Sequence, residues 1–340
     1  MAQLMESLQV GKKQKLADLI ANVEAAQTPF TSMAAKRTRP GNVDVEWQVK
    51  QYRRRGYRGV RDGQDAQDFH YNGREKLYSI SQKAWELRGV SDFSEESDVA
   101  GVKSEIQAQG ADALITVKQT VERRCLSNED CRRQDEANAD GANETRGIFC
   151  WLSPNEQKLK PVPPKYRPNA GQRYSGTLAE MNEDVLKDLA RAAWKRRMGN
   201  GVKMTGFVGI DLKGLISSFT RYDDQAPSKV AVRTFNQAIE KKTLINIIDR
   251  LVFDTGEIDL IASAHLLTNP DTGEDTAFTH RSGVFVDMSK VGLAWTRLPR
   301  FVKLEYKGGG HRLIVDAIFC LMMDNPSGCF SALIERDSVA

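Results

Sequence analysis

Histidine is scarce: His70, His265, His280 and His311 are the only four in 340 residues, with none between positions 71 and 264. No His-Glu-x-x-His pattern exists, which removes the simplest zinc hydrolase reading. His265, beside Ala264 and Leu266 in an apparent strand, reads as a satisfied or surface histidine rather than a ligand or base. Cysteines number five (Cys125, Cys131, Cys150, Cys320, Cys329). An odd count argues against a disulfide framework. The five-residue gap between Cys125 and Cys131 is wider than usual zinc-ligand spacing, so reduced thiols and no metal are expected. A Gly-x-Ser-x-Gly elbow is absent, no Gly-Lys pair precedes Ser or Thr, and Gly206 to Gly209 is too short for a dinucleotide fingerprint. No cofactor is expected. No apolar run approaches the ~20 residues of a membrane helix, so no membrane partner is expected. Met1 to Val10 contains Glu6 and lacks a basic segment leading into an apolar one, so no signal peptide is read and synthesis in a cytoplasm is expected. Net charge is only +4, from 49 basic and 45 acidic residues. A dedicated nucleic-acid binder usually carries a stronger basic excess.

What is present is organised. A 40% hydrophobic chain of 340 residues can bury a core and suggests two domains. Leu16, Leu19, Ile20 and Val23 recur at helical spacing, and Thr28-Pro29 ends that pattern, so residues 1–29 read as an arm with one short helix. Between residues 36 and 61 stand nine basic residues and two acidic ones, Asp44 and Glu46. This stretch therefore carries +7 and the remainder −3. Val43, Val45, Trp47 and Val49 alternate with polar residues, as in a half-buried strand. Arg53 to Gly73 holds four glycines and reads as a protruding loop, and Leu77 to Trp85 as its returning antiparallel strand.

A long helix follows. Val99, Val102, Ile106, Ala113, Leu114, Val117 and Val121 form one stripe, and Asp92 with Glu95 resembles a capping box at its entrance. Asp98 to Cys125 would span about 42 Å, with Gly101 and Gly110 as weak points. Residues 127–147 read as a polar loop, and 154–176, with five prolines, as a connector. Thr177 and Glu180 form a second capping box before a helix running to Met198, stopped by Gly199-Asn200-Gly201. Gly206 to Ile210 reads as a short strand, with a helical turn at 212–219. The last third is strand-rich: 244–253 and 258–267 around a hairpin turn, then 284–286, 292–297, 301–304, 311–323 and 329–334.

Two Asp-Thr-Gly triplets, at Asp254 and Asp271, invite an aspartic-protease reading. That chemistry needs each carboxylate presented by its own lobe. The two aspartates are only 17 residues apart, so neither copy can bring a lobe and both read as turns. Arg53, Arg54, Arg55, Tyr57, Arg58 and Arg61 form the candidate contact site. Arginine suits phosphates, and tyrosine can stack on bases. Arginine equally suits bidentate pairing with carboxylates of another chain. The net negative remainder makes a contact between copies the favoured reading, beside a nucleic-acid-binding module on 53–61 or a plain solvated loop.

The order of parts resembles the Hong Kong 97-type major capsid protein fold of tailed phages, an α+β fold. Individual words resemble one branch of it, long catalogued as a domain of unknown function: Thr28-Pro29-Phe30-Thr31-Ser32-Met33, Glu46-Trp47-Gln48, Gly89-Val90-Ser91, Val252 to Ile258, and Val286-Asp287-Met288 before Leu293-Ala294-Trp295. The charged insert between Asn128 and Arg146 departs from that pattern. The resemblance implies an N-terminal arm (1–42), an extended β-hairpin loop (43–90), a spine helix (91–127) of the peripheral domain, a mainly axial domain (128–285) and closing strands (286–340). It implies a non-enzymatic subunit that forms pentamers and hexamers of an icosahedral head. Implied partners are other copies of the chain, scaffolding, portal and decoration proteins, and non-specifically held double-stranded DNA. The implied location is the virion, assembled in a bacterial cytoplasm. A short arm without a coiled-coil region points to a separate scaffolding protein.

Overall fold

The computed structural model describes residues 28–52, 56–63, 70–97, 104–134, 141–196, 203–219, 249–306 and 308–335. The helix expected at residues 16–23 lies outside them. In chain order come α1 (Pro29–Met33), β1 (Ala35–Arg37), β2 (Asp44–Lys50), β3 (Arg74–Ile80), β4 (Gln82–Val90), α2 (Asp92–Glu96), α3 (Glu105–Cys125) and α4 (Ile148–Leu152). Then follow β5 (Arg173–Tyr174), α5 (Glu183–Arg196), β6 (Met204–Val208), α6 (Ile210–Ser218), β7 (Arg250–Phe253), β8 (Gly256–Ala262), β9 (Gly283–Val286), β10 (Val291–Lys303), β11 (His311–Met323) and β12 (Phe330–Ala332). They build a four-stranded sheet, β1-β10-β11-β4, a six-stranded sheet, β5-β12-β9-β6-β8-β7, and the separate hairpin β2-β3.

The spine is α3. Its 21 residues span about 31 Å. Ala113, Val117 and Val121 bury their side of the helix against Leu313, Val315, Ala317 and Phe319 of β11. Gly110 stands where an added Cβ would lie 3.2 Å from the Phe301 ring, so its missing side chain admits the ring. The helix is shorter than expected, and its entrance is built differently. Ser91 caps the separate α2, accepting from the Ser94 amide. Glu95, assigned to that cap by its spacing, instead accepts from the Ser104 hydroxyl (2.7 Å) and the Ile106 amide (2.9 Å), capping α3.

Further expectations are corrected. The run Leu77 to Trp85 is not one strand: it breaks at Ser81, β3 pairs with β2, and β4 pairs with β11 in the larger sheet. The two strands expected at 292–297 and 301–304 are the single β10, ending at Lys303, whose pairing with β11 shifts register on either side of Arg297, just before Pro299. The second capping box also gives way. Asn182 caps α5 through the Val185 amide at 2.9 Å, while Thr177 and Glu180 close a preceding turn. Both Asp-Thr-Gly triplets are turns, as expected, and Gly273 has φ +72°. His265 lies beyond the end of β8 rather than in a strand, and is buried.

The six-stranded sheet is enclosed on both faces. Met204 and Val208 of β6 pack with Leu186, Leu189 and Leu212 of α5 and α6, while Phe207 joins the core around α3. Gly206 allows Phe285 to lie across β6: a Cβ there would be 2.7 Å from that ring, which stacks on Phe330 at 4.4 Å. Gly206 is thus a packing glycine.

The arm is bound to the spine by one buried carboxylate. Glu122 of α3 accepts the backbone amides of Phe30 and Thr31, each at 2.7 Å, at the N-terminus of α1, where Pro29 begins the turn. Burial raises the Glu122 carboxyl above its ordinary value despite these bonds. Phe30 completes the contact, edge-on to Phe207 at 5.2 Å. Glu122→Ala is expected to lower the unfolding free energy by about 2 kcal/mol, measured by urea denaturation.

Candidate intersubunit interface

The hairpin β2-β3 carries the basic tract. Its inward side chains seat its base: Trp47 meets Trp151 at 5.6 Å, Val49 and Leu77 enter the main core, and Val45 packs on Ala294 and Cys320. Its polar side chains find partners in the charged insert and the connector after it. Asp44 accepts from the Tyr78 hydroxyl at 2.7 Å and pairs with Arg133. Glu46 pairs with Lys160 at 2.8 Å and Lys76 at 3.0 Å, and their hydrogen bonds hold its carboxyl below the ordinary range. Burial, then the bond to Asp44, pushes the Tyr78 hydroxyl far above its usual value.

Residues 127–160, expected as a solvated loop and a connector draped over the surface, in fact enclose a polar hub. Arg146 is fully buried, and its Nε donates to Asp130 at 2.7 Å. Its Nη2 donates to the Leu159 carbonyl at 2.6 Å, and its guanidinium lies 4.9 Å from the Trp151 ring centre. Asp130 also accepts the amides of Cys131, Lys158 and Leu159. Arg124 of the spine donates to the carbonyls of Thr145 (2.8 Å) and Asp130 (3.0 Å). The Thr145 hydroxyl joins Ser79 of the hairpin (3.1 Å) and the Leu321 amide (3.0 Å). Spine, hairpin and sheet therefore meet at a few polar atoms. Burial pushes the Cys131 thiol up to about 12. All five cysteines are buried thiols, and among the described residues no His, Cys, Asp and Glu cluster suits a metal ion.

Beyond Lys50 the hairpin carries no regular structure among the described residues, and its tip is open to solvent. Tyr52 and Tyr71 are largely exposed and Tyr57 fully so. Arg58 and Arg61 are exposed and form no ion pair among the described residues. Arg53, Arg54 and Arg55 lie outside them. Of the candidate contact residues, Tyr57, Arg58 and Arg61 are thus exposed. The sequence reading missed Glu122 and the Arg146–Asp130 hub. The signal for Glu122 was a lone acid adjoining the buried stripe of α3; the hub left none.

A chain with this arm, hairpin, spine and two sheets can be compared with known proteins. The family model for the SU10 major capsid protein matches residues 5–333. The chain belongs to the SU10 major capsid protein family. Its function is that of a capsid subunit of a phage head, its place is the virion capsid, and it acts by self-assembly. Solved structures share the fold at low identity. A Gordonia phage Cozz chain is 12% identical, with TM-score 0.59, covering 96% of this chain and 92% of that one. The capsid of cyanophage P-SCSP1u gives 13%, TM-score 0.57 and coverages of 96% and 93%. The mature capsid of bacteriophage PhiM1 gives 9%, TM-score 0.55 and coverages of 98% and 94%. No curated protein matches the sequence. The expected Hong Kong 97-type α+β fold is thereby borne out.

The hub has a pH consequence. Burial alone would raise the Asp130 carboxyl, but the Arg146 charge, its hydrogen bond and two backbone amides outweigh this and leave it below its ordinary value of 3.8. A depressed folded-state pKa supplies stability that is fully present at neutral pH and is lost as the pH falls below 3.8. Asp130→Asn is expected to cost about 3 kcal/mol at neutral pH. It should also flatten the acid limb of stability, followed by urea denaturation at stepped pH.

Proposed function

We propose that copies of this chain form pentamers and hexamers that close into an icosahedral shell around double-stranded DNA. In this reading the tip bearing Arg53, Arg54, Arg55, Tyr57, Arg58 and Arg61 reaches an acidic surface of a neighbouring subunit. The observation that carries it is the division of charge along the hairpin. Asp44 and Glu46 are engaged within the chain, whereas Arg58 and Arg61, further along the loop, form no ion pair among the described residues. A projecting loop with few apolar residues cannot bury itself in its own subunit, and a neighbour supplies the missing surface.

The sheets suggest how the domains divide. The arm ends before β2, and the extended loop is the β2-β3 hairpin, with β4 assigned to the peripheral domain beside α3 and the four-stranded sheet. The axial domain is the six-stranded sheet with α5 and α6. A near-neutral net charge suits a shell that holds DNA without gripping it. Scaffolding, portal and decoration proteins are the further partners, assembly occurs in the cytoplasm of a bacterial host, and no catalytic step is involved.

The purified chain is expected to form rings or shells visible by electron microscopy. Replacing Arg53, Arg54, Arg55, Arg58 and Arg61 with alanine should leave a folded subunit of unchanged melting temperature that sediments as a monomer. Should it assemble normally, the loop charges are not the contact. If the wild-type subunit instead binds duplex DNA with an affinity that falls steeply with salt, and this variant loses that binding, the arginines serve nucleic acid.

A further inference from the structure

A groove of about 900 Å³ runs beside the hairpin base, lined by the segment after β1, by β2, and by Tyr166, Arg196, Lys290 and Asp324. One wall is an unused strand edge. The Val43 carbonyl accepts from the Ser81 amide, and the register runs from Asp44 opposite Ile80 to Lys50 opposite Arg74. Ladder bonds in an antiparallel pair fall on alternate residues. Val45, Trp47 and Val49 therefore bond to β3, while the N–H and C=O groups of Asp44, Glu46, Gln48 and Lys50 face the other way. The pair has no third strand among the described residues. The open edge is about 24 Å long.

The groove also gathers unanswered donors. Arg37 Nε, Trp47 Nε1, the Tyr166 hydroxyl and Arg196 Nε are buried and have no hydrogen-bond partner among the described residues. Tyr166 is only 6% exposed. All four residues line the groove. Its acids are engaged: Asp44 and Glu46 as above, and Asp324 by Arg37 at 2.7 Å. Arg39 and Lys290 have no ion pair among the described residues, and Lys50 has only the Tyr52 ring, at 5.5 Å. The groove thus offers backbone pairing, surplus donors and positive charge. An extended segment rich in carboxylates answers all three.

We infer that this groove receives an extended acidic segment from a second copy of the chain, which adds to β2 as a third strand. The inference rests on the reading of the hairpin as an intersubunit element and names what that element binds. A second copy is the occupant because the family self-assembles and because the chain outside residues 36–61 is net negative, at −3. The edge is also continuous with the projecting tip.

Residue-resolved hydrogen exchange and two substitutions test it. The amides of Glu46, Gln48 and Lys50 should exchange freely in the isolated subunit and slow by about tenfold or more in assembled shells. Those of Val45, Trp47 and Val49 should be protected in both. Gln48→Pro removes an outward N–H that β3 does not use, a place where an edge strand tolerates proline. Tyr166→Phe deletes an unpartnered hydroxyl, which costs the free subunit nothing. Both variants should keep the wild-type urea midpoint while raising the protein concentration needed for assembly, by about tenfold for Gln48→Pro. Equal exchange in subunit and shell overturns the inference, as does protection already present in the free subunit, which would mean the edge is covered by its own chain. Wild-type assembly by both variants overturns it too. If they assemble normally while the tip-arginine variant does not, the loop reading stands and the strand addition falls. If all assemble normally, both fall.

Discussion

Arg146 has no access to water, and a guanidinium without water must find its partners in the protein. Asp130, the Leu159 carbonyl and the Trp151 face meet its Nε, its Nη2 and its plane, while Nη1 has no hydrogen-bond partner among the described residues. To do so, residues 128–134 and 141–160 must gather around one point, which sets where Lys160 and Arg133 stand. Those two residues, with Thr145, then hold the hairpin at Glu46, Asp44 and Ser79. A buried ion pair is poor evidence of net stability, since well-packed apolar residues often do as well. Its effect here is geometric. It fixes the direction in which the hairpin leaves the body, and a capsid subunit depends on that direction more than on extra stability.

The arm is governed by the same logic on a smaller scale. A five-residue helix has little stability of its own. Glu122 gives two of its free amides a charged acceptor, and Phe30 gives it an apolar anchor. β1 then adds in parallel to β10 from Ala35 opposite Gly292 to Arg37 opposite Ala294. Arm and hairpin are therefore separate elements tied to one rigid frame of α3 and the four-stranded sheet.

Periodicity made the regular elements readable. The stripe on α3, the alternation through β2, the hairpin at Asp254-Thr255 and the long β11 all follow from spacing. Errors arose where one pattern serves two structures. Alternation continues through Ser81 without a Gly or Pro, so nothing in the letters marks the passage from hairpin to sheet. Glu95 stands at capping-box distance from Asp92 but caps the next helix instead. The strands read at 292–297 and 301–304 join into one, because β10 accommodates Pro299 through irregular register. The hub was unreadable for a different reason: polar residues in a loop look solvated until the tertiary structure encloses them. A basic tip could be read as a contact, but the open edge of β2 could not, because it depends on which residues bond to β3.

These features bear on why so basic a hairpin sits in so nearly neutral a chain. If its charges served DNA alone, nothing would require buried, unpartnered donors to collect at its base, since phosphates are met at exposed side chains. If they served solubility alone, an open strand edge would be a liability that natural sheets usually cover or shorten. An edge of seven residues with Arg39, Lys50 and Lys290 lining the groove beside it is protected against indiscriminate pairing, because an apolar or basic strand approaching it would leave those charges without partners. An acidic strand faces no such penalty. The same positive charge can therefore keep free subunits apart from the wrong partners and admit the right one.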